Sequence, residues 1–282
     1  SFCFSCQKKL PEEIAFLPDM DYQVETTAKT TLSNLLGNYR IIQLQTTDSC
    51  LIDKNSKVIK YQDTFYIYSK NEILIFDNNG VFIGKLARFG KSPEDYDSLH
   101  DFDIETVDNS TEIWIATGKQ LKRYDARTFQ YKGVAVNCQY PIQQFHRYHS
   151  GDICVKTAGD DAFILYDGFG KTIQSFLKKD LANSGQKITQ FFQYKNEVMY
   201  QIDATNTGVV YDPFQRELIT KPILGNLPSN YLTMEKNKKY YEQYGYMEQA
   251  LHIRKDFVLL YTFKYANDHL LMITLHKDKN RI

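Results

Sequence analysis

An aspartate and two histidines, Asp103, His146 and His252, each stand one residue into a short apolar segment; the segments begin at Phe102, Phe145 and Leu251. A carboxylate and two imidazoles are donors that a zinc or iron ion accepts. The same position in two sister segments, which begin at Val58 and Phe191, holds Ile59 and Phe192. The three donors therefore form a metal site only if these segments line a common axis. Carboxylates also pair at Glu94-Asp95, Asp101/Asp103 and Asp160-Asp161. Each pair sits where a strand ends or a turn begins, and there an aspartate serves local hydrogen bonding. The chain has no GxxxxGK[ST] loop, no GxGxxG opening a helix, no GxSxG elbow and no HExxH. His100, His149, His269 and His276 show no partner pattern. No cofactor is expected.

The elements that must position such residues are β-strands. Of 282 residues, 43% are hydrophobic, and the aromatics are mostly 21 Tyr and 18 Phe, types that pack on pleated, half-buried surfaces. Lys+Arg and Asp+Glu balance at 34 each, so no overall field draws the chain to a polyphosphate, and nucleic acid is not an expected partner. No run approaches the roughly 20 apolar residues of a membrane-spanning helix. Cys3, Cys6, Cys50, Cys138 and Cys154 lack the paired spacing of a zinc site. Cys138 and Cys154 are expected as buried thiols, with a bridge between them as the alternative in an oxidising compartment.

A repeated plan runs through the chain. Phe76-Asp77, Tyr124-Asp125, Tyr166-Asp167 and Tyr211-Asp212 are aromatic-Asp marks whose aspartates lie 48, 42 and 45 residues apart by subtraction, a spacing within the range of four-stranded propeller blades. A strand pair precedes each mark: Val58–Tyr61 with Phe65–Tyr68, Phe102–Ile104 with Glu112–Ile115, Phe145–Tyr148 with Asp152–Val155, and Phe191–Tyr194 with Glu197–Tyr200. The joining turns contain Gln62-Asp63, Asn109-Ser110, Ser150-Gly151 and Lys195-Asn196, residues that tolerate tight hairpins. Each mark is followed by a turn and a last strand, at Val81–Leu86, Phe129–Val136, Thr172–Phe176 and Arg216–Ile219. A fifth copy, without the mark, starts at Leu251 and runs through Phe257–Tyr261 and Leu270–Leu275. Four strands per unit and no long helix-period segment predict an all-β protein, a β-propeller of four-stranded blades. The marked aspartates are expected to set turns, because a residue used once per blade is explained by the hairpin.

From Lys57 onward the length suits about five units at this period. A propeller that stops short of closure leaves open strand edges, so a sixth blade is expected beyond the chain, with truncation at both ends. Tyr39–Leu44 is expected as a strand that locks the last blade to the first. The start, SFCFSC, resembles the end of a signal peptide with the lipobox of bacterial lipoproteins, in which a small residue precedes an acylated cysteine. The resemblance implies Cys6 as the lipid anchor, without a spanning helix. The domain reading is a signal remnant at 1–6, a tether at 7–38 and a propeller over 39–282. One connector, Gly225 to Ala250, is too long for a blade turn. It is expected to hold a short helix around Glu235–Tyr244 and either to cap a blade edge or to present Tyr231, Tyr240, Tyr241, Tyr244 and Tyr246 to a ligand.

The run from Lys57 to Ile104 resembles the six-bladed β-propeller lipoproteins of Gram-negative gut anaerobes, which are similar in turn to NHL-repeat propellers. Its most telling piece is Gly90-Lys91-Ser92-Pro93-Glu94-Asp95-Tyr96, which usually reads GxGPGEY in that family, followed by Phe102-Asp103-Ile104. Ser92 and Glu94 depart from the family's glycines, which speaks against a role needing bare backbone amides. The resemblance implies a lipid-anchored monomer of the cell envelope, in either membrane, and leaves the chemistry open. The expected function is a binding module for a protein or glycan. The alternative is a metal-assisted lyase or hydrolase acting in the channel through Asp103, His146 and His252, since a propeller lyase related to the NHL group uses a channel metal.

Overall fold

The computed structural model describes residues 17–21, 40–53, 56–107, 109–178, 191–194, 197–202, 205–226, 232–233, 235–236, 238–245, 259–266 and 269–275. After β1 (Leu17–Asp21), blade 1 is β2 (Val58–Tyr61), β3 (Thr64–Ser69), β4 (Glu72–Asp77) and β5 (Phe82–Leu86). Blade 2 is β6 (Asp101–Val107), β7 (Ser110–Thr117), β8 (Gln120–Asp125) and β9 (Tyr131–Asn137), and blade 3 is β10 (Ile142–Arg147), β11 (Ile153–Thr157), β12 (Asp161–Tyr166) and β13 (Thr172–Lys178). Blade 4 is β14 (Phe191–Tyr194), β15 (Glu197–Gln201), β16 (Thr207–Asp212) and β17 (Glu217–Pro222). Then come β18 (Leu224–Asn226), β19 (Leu259–Ala266) and β20 (His269–Leu275). Each blade is a four-stranded sheet with its strands in sequence order. The fold class is all-β, built of propeller blades. Two compact units hold these elements: blades 1 to 3 together with the turn at 213–217, and the remainder, which includes β1, β14 to β16 and β18 to β20.

The marks close the third strands, and their aspartates set the turns. Asp77 Oδ1 accepts the amides of Asn79 and Val81, both at 2.8 Å. Asp167 Oδ1 accepts those of Phe169 and Lys171, both at 2.9 Å. Asp125 Oδ1 accepts the Thr128 amide at 2.8 Å and the Arg127 amide at 3.0 Å. Those bonds hold the Asp125 carboxyl below its ordinary range, the Thr128 amide foremost. Gly170 in the third of these turns has φ +80°, and a Cβ there would stand 2.5 Å from the Ala135 carbonyl oxygen of blade 2. Only glycine permits both the conformation and the approach.

Strand alternation decides which side chains fill the spaces between blades. Tyr66, Ile73 and Ile75 of blade 1 pack against Phe102, Ile104, Ile113 and Tyr124 of blade 2. On the opposite face of blade 2, Trp114, Ala116, Leu121 and Val136 pack against Phe145, Ile153, Val155, Ile164 and Tyr166 of blade 3. Such sheets hide both faces only by stacking, and each buried Phe or Ile contributes about 1.5–3 kcal/mol. The outer face of blade 1 is covered by Leu44 and Cys50 against Ile67, Leu74 and Phe76.

Three expectations change. Tyr39–Leu44 is expected as a strand, but residues 40–47 carry no strand pairing. They run along blade 1 through single bonds, from the Gln45 amide to the Gly80 carbonyl at 2.8 Å and from the Phe82 amide to Gln45 Oε1 at 3.0 Å. Within the stretch read as a tether, β1 pairs in parallel with β18. In the fifth copy the strand expected at Phe257–Tyr261 lies at Leu259–Ala266 and pairs with β20. Cys50, Cys138 and Cys154 are buried free thiols. Burial pushes the Cys154 thiol up to about 12.

Candidate functional site

The first strands of blades 1, 2 and 3 run side by side in the same direction and carry the ionisable groups. Asp101, only 7% exposed, ties all three. Its Oδ1 accepts Lys57 Nζ at 2.7 Å from just before β2, and its Oδ2 accepts the Phe145 amide of β10 at 3.2 Å. Lys57 also donates to the Phe102 carbonyl at 2.7 Å and lies 5.3 Å from the Phe102 ring centre. Two residues further along β6, Asp103 Oδ1 accepts the Ile104 amide at 2.9 Å. Burial raises the Asp103 pKa against the pull of Lys57. Two further on, Glu105 stands 3.5 Å from Arg147 Nη1. Its pKa is pushed up to about 7, first by burial and then by the charge of Asp103, with Arg147 opposing. Tyr61 and Thr106 share a hydroxyl hydrogen bond between blades 1 and 2. The Trp114 ring takes two guanidinium contacts, from Arg123 and from Arg147, each 5.8 Å from its centre.

Asp103 lies on β6 and His146 on β10, each one residue after a buried phenylalanine. Asp103 pairs with Trp114 across the ladder, and Trp114 packs in the face turned to blade 3. His146 pairs with Cys154, whereas its neighbours Phe145 and Arg147 are the residues turned to blade 2. Equivalent positions thus face equivalent ways on their own blades, and the charge of Lys57 acts on both Asp103 and His146. Burial lowers the His146 pKa to about 4, helped by His149 and Lys57, and its ring meets Tyr148 edge-on at 5.0 Å. His252 lies outside the described residues, and among those residues no three His, Cys, Asp or Glu side chains converge as metal ligands.

The Gly90–Tyr96 connector is a clamp. The Ser92 amide donates to Asp95 Oδ2 at 3.1 Å, and Ser92 Oγ donates to the same oxygen. Tyr96 is fully buried and donates to the carbonyls of Asn71 at 2.8 Å and Leu86 at 3.1 Å. From blade 2, Tyr124 donates to the Glu94 carbonyl at 2.9 Å and Lys122 to the Pro93 carbonyl at 3.0 Å. Side chains of this chain therefore use the polar groups that a ligand would need there.

The helix expected in the long connector is present at 235–236 and 238–245. Thr233 Oγ1 accepts the Lys236 amide at 3.2 Å as its N-terminal cap, and Gly245 at φ +72° stands at its end. The i, i+4 spacing sets Tyr240 and Tyr244 on one side, with ring centres 5.5 Å apart. Gln243 Nε2 donates to the Tyr244 hydroxyl at 3.0 Å. Tyr240, Tyr241 and Tyr244 are half-buried. Tyr231, Tyr246 and Cys6 lie outside the described residues.

Sequence reasoning missed a second ion pair, in which Arg216 docks on Asp152 with both guanidinium bonds, Nη2 to Oδ1 at 2.7 Å and Nε to Oδ2 at 3.1 Å. It also passed over two phenylalanines at matched turn positions, Phe169 and Phe214, which are 97% and 92% exposed. Their signal was present: each stands two residues after a marked aspartate.

A family model described as Domain of unknown function (DUF4934) matches residues 18–281. The chain belongs to the DUF4934 family. No curated protein matches this DUF4934 chain. Among solved structures it is similar to a Bacteroides fragilis protein described as exported, at 15% identity and a TM-score of 0.64, over 84% of this chain and 69% of the other. It is also similar to a DUF4221 family member from Bacteroides vulgatus, at 13% identity and 0.41, over 64% and 60%. A third is the Pan2 WD40 domain of Neurospora crassa, at 13% and 0.41, over 59% and 51%. At these identities the likeness is one of fold.

Proposed function

We propose that this DUF4934 protein is an extracytoplasmic propeller of the six-bladed, NHL-like lipoprotein kind. In this reading it is anchored through Cys6, works as a monomer and binds a protein or glycan ligand at the Tyr-rich connector. The observation that carries this reading is how the ionisable groups are used. In blades 1 to 3 the inner-strand charges of Lys57, Asp101, Glu105 and Arg147 are spent on ties between blades. The helical segment instead leaves Tyr240, Tyr241 and Tyr244 with surface to offer. Tyrosines supply broad, rigid contact area with a polar tip, which suits both sugar rings and peptide surfaces. The fold likeness to an exported Bacteroides protein supports the location outside the cytoplasm.

Affinity electrophoresis of the protein through gels holding a panel of soluble polysaccharides, paired with a peptide array, tests the reading. Retardation or capture by at least one ligand is expected, with a loss of about tenfold or more in affinity, some 1.4 kcal/mol, when Tyr240, Tyr241 and Tyr244 are all replaced by Ser. Binding that survives the triple replacement moves the site elsewhere and refutes this assignment.

A further inference from the structure

Strand alternation puts Glu112 and Trp114 of β7 on one face of blade 2, and Arg123 stands directly opposite Trp114 on β8. Trp114 packs in the face turned to blade 3. Glu112 and Trp114 are 2% and 3% exposed, although one is charged and the other carries a polar N–H. Glu112 Oε1 takes Lys132 Nζ at 3.1 Å, while Arg123 Nη1 stands 3.7 Å from Oε2, beyond hydrogen-bond reach. The Arg123 guanidinium lies 5.8 Å from the centre of the Trp114 ring. From blade 3, Arg147, paired with Glu105, stands at the same 5.8 Å and closes the seam.

Three buried polar atoms of this cluster have no hydrogen-bond partner among the described residues: Glu112 Oε2, Trp114 Nε1 and Arg123 Nε. Native proteins leave few such atoms, and three on adjoining side chains of one face call for a common cause. Each can act in one way only. The indole and guanidinium nitrogens donate, and the carboxylate oxygen accepts. A bound anion would serve the two N–H groups and repel Glu112. A metal ion would serve the carboxylate and meet two donors and the guanidinium charge. Water both accepts twice and donates, so one molecule completes all three. Room for it exists beside Arg123, whose ladder partner on β9 is Gly133: apart from its chain neighbours, a Cβ there would meet nothing nearer than Arg123 Nη2 at 4.0 Å. Polar walls and sufficient room are the conditions for an internal water.

We propose that the seam between blades 2 and 3 binds one internal water molecule, which accepts from Trp114 Nε1 and Arg123 Nε and donates to Glu112 Oε2. The water gives Glu112 a hydrogen bond that Arg123, too far off at Nη1, does not supply. It also gives Trp114 a part beyond filling space, since its N–H becomes a fixed donor that a phenylalanine lacks. The site is separate from the ties of Asp101 and from the Tyr-rich connector, so it stands or falls independently of the ligand-binding reading.

A crystal structure of the full chain that shows first-shell waters tests the proposal. One density peak within about 2.7–3.2 Å of all three atoms is expected. Crystals soaked in bromide should give no anomalous signal there, because that signal would mark an anion. In solution Trp114 is the single tryptophan, so its Nε1–H gives a lone indole resonance in nitrogen-15 NMR. A dipolar cross-peak between that proton and the water resonance is expected, and Glu112→Met, which removes the acceptor and fills the seam with an apolar chain, should abolish it. No density peak, a peak that reaches fewer than all three atoms, a bromide signal at the site, no cross-peak in solution, or a cross-peak that survives Glu112→Met overturns the proposal.

Discussion

Replacing Asp101 by Ala should be the most damaging single change on the inner strands. The carboxylate is buried and accepts three donors: Lys57 Nζ at 2.7 Å, the Phe102 amide at 3.0 Å and the Phe145 amide at 3.2 Å. Without it the buried Phe145 N–H loses its acceptor, at a cost of about 1–3 kcal/mol. The lost attraction to Lys57 adds little, no more than about 1 kcal/mol, because the lysine side chain is 40% exposed and its charge returns to water. A total of about 1–4 kcal/mol follows, which by the scaling for domains of 150–250 residues lowers Tm by about 2–16 °C. Lys57→Met alone should cost about 1 kcal/mol or less. Urea denaturation of the two single variants and the double variant gives the coupling directly. If Asp101→Ala costs less than about 0.5 kcal/mol, the range of ordinary surface changes, Asp101 does not tie the blades together and the account of the inner strands fails.

Gly170→Ala combines a left-handed backbone with a Cβ 2.5 Å from a neighbouring carbonyl oxygen, so it should destabilise by about 2–4 kcal/mol, whereas Ala in place of the exposed Gly168 should cost well under half of that; thermal melts compare them. Glu105 gives a pH signature. Its folded pKa of about 7 lies above the unfolded value near 4.5, so the folded state holds more protons between them, and the Glu105 contribution is fully present below the unfolded value and lost as pH rises through about 7. Glu105→Gln should therefore gain stability relative to wild type across that window, and parallel pH profiles would refute it. His146 runs the other way: buried as the neutral ring with a pKa near 4, it loses its contribution as pH falls from about 6.5 through about 4, a slope that His146→Gln should remove.

The blades were legible in the sequence because their signals are local. An aspartate that binds amides two to four residues onward leaves a mark at fixed spacing, and Asp77, Asp125 and Asp167 do so in the structure. The helix near Glu235–Tyr244 was legible for the same reason, between Thr233 and Gly245. The ties of Asp101 were not: its partners lie 44 residues away on either side, and nothing in DFDI distinguishes an aspartate that crosses between sheets from one that caps its own strand. Asp103 and His146 were legible as matching positions because each follows a buried phenylalanine on its first strand, Phe102 and Phe145. Residues 40–47 have strand-like composition, but a strand also needs a ladder partner, and their few bonds to blade 1 do not make one.

The Arg216–Asp152 pair gives the chain a staggered seam. The tip of the fourth repeat is bolted to the body of the third, so the compact piece that contains Asp152 takes in 213–217 while skipping the residues before it. Cutting the gene at a repeat boundary, whether in a laboratory or during duplication of blades, would strand Asp152, whose side chain is 1% exposed, as a lone anion under the surface. A repeat of this protein can therefore be copied or excised cleanly only together with the hook its successor sends back.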